Sequence, residues 1–372
     1  MNRHGTDILI VGGGIMGLLS AFELLQHGVR VRILERQDTG REASWAGGGI
    51  LSPLYPWRVS EAINRLFAWS HQQYPRWIEA IRAQGGLDPE WIRSGLLVAD
   101  GVAERESVQR WAATWGFTPQ WLDNRTTRER EPAANWPDGE TLCLPDIAQV
   151  RNPRLLAAVR QAVSRRGGIL TEHTPVTRFH HQRSTITGVE TPRAVYTADQ
   201  YVLAAGAWSG QLITALTGNA QALPVEPVKG QMLIFKTTPH TLRHILLSEG
   251  HYLIPRQDGR ILAGSTLEYT GFEQSTTEAA RQQLLAFARH WLPDIPITIE
   301  KHWAGLRPGS PEGVPCIDRH PAFNNLYLNC GHFRNGFVMA PASARLLTDL
   351  ILQRPPFTDP APYRLERFAN PT

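Results

Sequence analysis

Asp7-Ile8-Leu9-Ile10-Val11, followed at once by Gly12-Gly13-Gly14-Ile15-Met16-Gly17, is the stretch on which the fold turns. A short apolar run of this kind suits a strand buried in a parallel sheet. Leu18 to Gln26 then reads as a helix stopped by His27-Gly28, and Val29 to Glu35 as a second strand ending in an acid. Together they form a βαβ unit with short connections and a right-handed crossover.

Gly12, Gly14 and Gly17 have the G-x-G-x-x-G spacing, and here the pattern follows a strand and opens a helix. Gly12 permits the tight turn, Gly14 lets backbone approach a pyrophosphate, and Gly17 lets helix and strand pack closely. The unpaired N–H groups and positive end of the helix favour phosphate. The Glu35 carboxylate suits ribose hydroxyls and would repel a 2′-phosphate, which disfavours NADP.

Further along, the Ala43 to Ile50 loop carries Gly47-Gly48-Gly49, whose bare backbone could lie against the ribityl chain and ring of a longer cofactor. Ser60 to Gln84 is helical in pattern, interrupted by Pro75. Asn152-Pro153 opens a helix that closes at Gly167-Gly168, and residues 169–205 read as short strands with a turn at Thr187-Gly188. Asp258-Gly259, flanked by apolar runs, signals a β-hairpin. Gly331-His332-Phe333-Arg334-Asn335-Gly336-Phe337-Val338 again follows a buried strand and opens a helix, whose positive end would favour a reduced flavin.

Parallel-sheet pieces therefore sit at both ends and in the middle, with antiparallel pieces between them. Two interleaved domains are expected: a cofactor domain from 1–60, 145–222 and 303–372, and a substrate domain from 61–144 and 223–302.

Composition narrows the class. Of 372 residues, 42% are hydrophobic and 19% charged, which excludes a disordered chain. The net charge of +4 comes from scattered arginines, so no nucleic-acid stripe is expected. No run approaches ~18 apolar residues, so no membrane span or stable membrane association is expected. Met1 to Gly5 runs straight into the first strand without a leader's apolar stretch, and the three cysteines are odd in number and widely spaced. Both point to a cytoplasmic setting. Histidines and cysteines lack metal-ligand spacing, and no metal is expected.

Gly12–Gly17, Glu35, Ala205-Gly206-Ala207-Trp208-Ser209, Trp303-Ala304-Gly305-Leu306-Arg307-Pro308-Gly309 and Gly331–Gly336 together resemble the D-amino-acid oxidase superfamily, and within it the glycine oxidase group of thiamine biosynthesis. The likeness spans nearly the whole chain. It implies an α/β fold in which a Rossmann-like, GR2-type FAD domain is interleaved with an antiparallel α+β substrate domain. It implies non-covalent FAD, oxidation of glycine and other small amines by O2, and a homo-oligomer such as a homotetramer. Cofactor contacts carried over by position are Gly12, Gly14, Ile15, Met16, Gly17, Glu35, Arg36, Ala43, Ser44, Gly48, Gly49, Ile50, Val176, His332, Phe333, Arg334, Asn335, Gly336, Phe337 and Val338. Related sarcosine oxidases tether flavin through a cysteine near the position of Gly305-Leu306; none stands there, and Cys316 is displaced from it.

Amine oxidation on flavin needs a fixed carboxylate more than it needs acid–base groups. Arg307 is the expected carboxylate fork, with Arg334 second and the Tyr252 hydroxyl as a further donor. Hydride is expected to pass from Cα to flavin N5 with no side-chain base; His251 and His302 sit beside apolar residues and are left out. Products would be the 2-oxo acid (glyoxylate from glycine), ammonia and H2O2. Three alternatives stay open: a dehydrogenase of the same fold passing electrons to a quinone or protein, a flavin module of an RNA-modification enzyme, and a nucleotide sensor.

Overall fold

A computed structural model describes residues 6–368. Met1 to Gly5 and the last four residues, which the expected domain division included, lie outside the described residues.

The first strand, Thr6–Val11, runs parallel to Val31–Leu34 on one side and Ala198–Leu203 on the other. They belong to a six-stranded sheet whose order is Cys316–Arg319, Leu326–Cys330, Ala198–Leu203, Thr6–Val11, Val31–Leu34, Ile169–Thr171. All pairs are parallel except the first, an antiparallel edge. Alternate residues serve opposite layers. Ile8, Ile10 and Ile33 pack among helices Ile15–Gln26, Asn152–Arg165 and Gly336–Ile351. Leu9, Val11 and Leu34 pack toward a three-stranded sheet of Arg178–Gln182, Thr185–Glu190 and Val195–Tyr196. Helix Ile15–Gln26 is buried over its first ten residues because it is covered on nearly all sides.

The second sheet has eight strands, in the order Thr298–Gly309, Glu226–Lys236, Arg260–Gly264, His251–Pro255, Ile245–Ser248, Leu96–Val98, Thr141–Leu144, Gln120–Leu122. Only Ile245–Ser248 and Leu96–Val98 pair in parallel. Helix Glu278–Trp291 covers one face through Leu284, Leu285, Ala288 and Trp291. The mixed α/β architecture is thus the expected one, a parallel Rossmann-like sheet beside an antiparallel α+β layer. Strand Thr298–Gly309 lies wholly in the eight-stranded sheet, so the expected boundary at residue 303 falls inside a strand.

The Asp258-Gly259 hairpin is present, with Gly259 at φ +83° and Arg256 N–H donating to the Arg260 carbonyl at 2.8 Å. Two local readings need correction. The turn expected at Thr187-Gly188 lies instead at Arg183-Ser184, where Arg183 takes φ +53°. Gly188 is in mid-strand, where a β-carbon would stand 2.9 Å from Val195 Cγ1. Pro75 does not interrupt its helix, which runs unbroken from Glu61 to Gly85. Its buried stripe of Ile63, Leu66, Phe67, Tyr74, Ile78 and Ile81 stays docked across the proline, and the Tyr74 hydroxyl donates to the Phe337 carbonyl.

Candidate functional site

A cavity of about 910 Å³ opens between the two sheets, near the upper end of the ~300–1,000 Å³ usual for small-molecule sites. At one end the glycine turn fits without room to spare. Gly12 has φ +110°, and a β-carbon there would lie 2.3 Å from the Ala204 carbonyl oxygen. Ser44 Oγ accepts from the Ile15 N–H at 3.0 Å, holding the first turn of the helix. Glu35 is fixed by two backbone donors, Gly13 N–H at 2.7 Å and Gln37 N–H at 2.9 Å. The neighbouring Arg36 pairs with Glu42 and lies 3.4 Å over the Trp208 ring.

The middle wall is Gly47 to Ile50. Gly49 takes φ +79°, and a β-carbon there would lie 2.2 Å from the Val150 carbonyl oxygen. Two buried side chains hold this wall. Asn152 Nδ2 donates to the Ser44 carbonyl at 3.0 Å and the Gly47 carbonyl at 2.9 Å. Arg256 donates to the Gly48 carbonyl at 2.7 Å, the Val150 carbonyl at 3.0 Å and Gln149 Oε1 at 2.6 Å. Burial pulls the Arg256 guanidinium down to about 10, and it stays charged near neutrality.

The late loop closes the far side. Strand Leu326–Cys330 delivers Gly331 at φ +77°, Phe333 takes φ +44°, and helix Gly336–Ile351 begins at the cavity edge. His332 is buried, with Nε2 2.9 Å from Ser343 Oγ, and burial pushes its pKa down to about 3, so the ring is neutral. Cys330 also lines the cavity, opposite Cys316 in the sheet register, and burial pushes its thiol up to about 12.

Arg307, on strand Thr298–Gly309, and Tyr252, on strand His251–Pro255, have two strands of the eight-stranded sheet between them and face the same cavity. Arg307 NH1 donates to the Lys229 carbonyl at 3.2 Å and the Thr266 carbonyl at 3.1 Å, and NH2 to Ser265 Oγ at 2.7 Å. Burial lowers its pKa; Tyr252 opposes this shift and the nearby Arg334 charge adds to it. An arginine nonetheless keeps its charge. Tyr252 is buried, its hydroxyl 4.0 Å from Met232 Sδ and packed against Gly264, where no β-carbon intrudes. Arg334 lines the mouth of the cavity with an exposed side chain.

Every expected cofactor position lines this cavity except Gly17. A β-carbon on Gly17 would lie 1.9 Å from the Gly12 carbonyl oxygen, so this residue faces the strand, and its contribution is close packing. His251 and His302 do not line the cavity; His251 Nε2 is 3.2 Å from Gln283 instead. Sequence reasoning missed Asn152, Arg256, Trp208 and Met232. The Trp208 segment was visible as a motif, whereas the buried charge of Arg256 had no local signature. The donor set suits FAD: an acid for ribose, a helix N-terminus for phosphate, a bare glycine wall for the ribityl chain, and a second helix N-terminus opposite.

Comparison with known proteins agrees with this chemistry. Residues 7–350 match the DAO family profile, described as FAD dependent oxidoreductase. The chain is 44% identical over 362 residues to the glycine oxidase of Pseudomonas putida, covering 97% of this chain and 98% of that one. It is 33% identical to the bifunctional protein ThiO/ThiG of Synechocystis sp., covering 94% of this chain and 52% of that one. The crystal structure of glycine oxidase from Geobacillus kaustophilus matches with a TM-score of 0.89 at 29% identity, over 97% and 98% of the two chains.

Proposed function

The chain belongs to the DAO family of FAD-dependent oxidoreductases, and from that premise we propose that it oxidises glycine and other small amines, among them sarcosine and small D-amino acids. Glycine, O2 and water would yield glyoxylate, ammonia and H2O2. The observation that carries this reading is Arg307, a fixed guanidinium facing the same cavity as the glycine turn.

Bound FAD supplies the acceptor for the electron pair that leaves the substrate. Gly12, Gly14, Ile15, Glu35, Ser44, the Gly48–Ile50 wall and the 332–338 loop would hold it without a covalent link. The chain's own residues do the rest. The Arg307 fork takes the carboxylate in a planar, paired geometry that lysine cannot copy. Its hydrogen bonds to Lys229, Thr266 and Ser265 keep that fork from swinging. The Tyr252 hydroxyl adds a donor beside it, and Arg334 supplies positive potential at the mouth. Holding the carboxylate fixes the direction of the α-carbon, and orientation of this kind can supply several kcal/mol of a barrier. Burial holds the His332 pKa down at about 3 and its Nε2 lies 2.9 Å from Ser343 Oγ, so the ring is a weak base and is assigned no part in taking the amine proton.

The likeness to about half the length of the bifunctional protein ThiO/ThiG supports a role in supplying glycine imine for thiamine thiazole synthesis. The reading includes a homo-oligomer, a homotetramer, in the cytoplasm; no helix among the described residues is long and apolar enough to cross a membrane. A peroxide-coupled assay over a panel of small amines tests the reaction. Turnover of glycine with an artificial electron acceptor, but none with O2, would replace the oxidase by a dehydrogenase.

A further inference from the structure

Lys229 lies on strand Glu226–Lys236 with its side chain only 2% exposed. Its neighbour Gly230 and then Met232 line the cavity, so Lys229 and Gln231 point to the opposite side of the sheet. There the ammonium meets Glu268 Oε2 at 3.2 Å and Glu273 Oε2 at 2.6 Å, and donates to the Ser275 carbonyl at 3.3 Å. All three partners belong to segment 265–277, which joins strand Arg260–Gly264 to helix Glu278–Trp291. The segment also brings Tyr269 to the cavity and sets Phe272 at a tilt against Trp208, with ring centroids 5.4 Å apart. A buried ammonium persists only where its counter-charges are held in place, so this cluster ties the segment to the sheet.

The same segment forms the cradle of Arg307. Ser265 Oγ and the Thr266 carbonyl accept two of its hydrogen bonds. The Lys229 carbonyl accepts the third, and also accepts the Glu268 N–H at 2.9 Å. Glu268 Oε1 then accepts from the Thr266 hydroxyl at 2.5 Å and from Gln231 Nε2 at 2.8 Å. The Lys229 carbonyl thus belongs to the cluster itself, Thr266 is one hydrogen bond from it, and Ser265 adjoins Thr266.

We infer that Lys229 is a positioning residue for Arg307, acting from behind the sheet by pinning segment 265–277. The inference rests on the reading of Arg307 as the carboxylate anchor. Lys229 does not line the cavity, so its influence on ligand must pass through the cradle.

The test uses the flavin-loaded full chain. Acetate titrated against the flavin visible spectrum gives a carboxylate Kd, and glycine kinetics give KM and kcat separately. Lys229→Met is expected to raise the acetate Kd and glycine KM about tenfold or more, with kcat within about threefold and flavin content unchanged. Lys229→Arg keeps the buried cation and is expected to restore both constants to within about threefold of wild type. Wild-type Kd and KM in Lys229→Met, or an arginine variant no better than the methionine one, overturns the inference. Should Lys229→Met fail to retain flavin, Glu273→Gln decides from the solvent side of the cluster. A raised Kd there supports pinning, and an unchanged Kd overturns it. An Arg307→Leu control separates the two ideas. If it leaves the acetate Kd unchanged, the carboxylate reading falls and the Lys229 role with it; if it weakens acetate while the Lys229 variants do not, only the latter falls.

Discussion

The Arg307 guanidinium lies against the bare α-carbon of Gly230, both terminal nitrogens 2.2 Å from the point where a β-carbon would stand. The two residues sit on paired strands, and the arginine fits only because its neighbour has no side chain. Gly230→Ala must therefore push the guanidinium out of its cradle. We expect kcat/KM for glycine to fall at least ~10-fold, mainly through KM, with flavin retained. Unchanged KM in a folded, yellow Gly230→Ala protein would show that Arg307 does not set substrate binding.

Removing the guanidinium outright should cost more. Arg307→Leu deletes a charged hydrogen-bonding fork and leaves the Lys229 and Thr266 carbonyls without that donor. Loss of a charged hydrogen bond costs about 3 kcal/mol, so kcat/KM should drop at least ~100-fold. Steady-state peroxide assays measure it, and near-normal turnover would remove Arg307 from the site.

The purified protein should carry a flavin absorbance spectrum, and acid or heat should release free FAD into the supernatant. Cys330 is the cysteine at the cavity wall, and its thiol, pushed up to about 12, holds little thiolate at neutral pH. Flavin that stayed in the precipitate would instead reveal a covalent bond.

His332 gives a pH signature. Its folded pKa, about 3, lies below the ordinary histidine value of 6.5 because burial disfavours the imidazolium. Stability from keeping the ring neutral is complete above about pH 6.5 and declines as pH falls toward 3, by about 1.4 kcal/mol per pH unit at most. His332→Asn removes the titrating group. The Tm of wild type should therefore fall more steeply than that of the variant between pH 6.5 and 4. Parallel Tm profiles would mean that His332 is not buried neutral.

Much of the cofactor end was legible in the chain because its logic is local. Gly12 to Gly17 and Glu35 lie within one βαβ unit, and spacing alone places them together. The 331–338 loop was legible as a second strand-to-helix turn, but its pairing with the first, and the place of Arg307 beside them, came from motif resemblance, since nothing in spacing joins residue 307 to residue 12. The supports were invisible. Arg256, Asn152 and Lys229 look like ordinary polar residues of a hairpin, a helix start and a strand; only tertiary packing buries them. Thr187-Gly188 was misread for a related reason. A glycine signals a turn locally, but this one makes room for the adjoining strand.

The order of strands in the parallel sheet governs how the protein is made. Thr6–Val11 is synthesised well before Leu326–Cys330, the strand two places away in the sheet that helps complete its layer. At ~5–20 residues per second, roughly 15–60 s separate synthesis of Gly17 from that of Gly336. Through that interval the nascent polypeptide has one nucleotide-binding turn and lacks the opposing wall. A chain that lacks Leu326–Cys330 and helix Gly336–Ile351 therefore presents the glycine turn without the wall that closes the far side of the cavity.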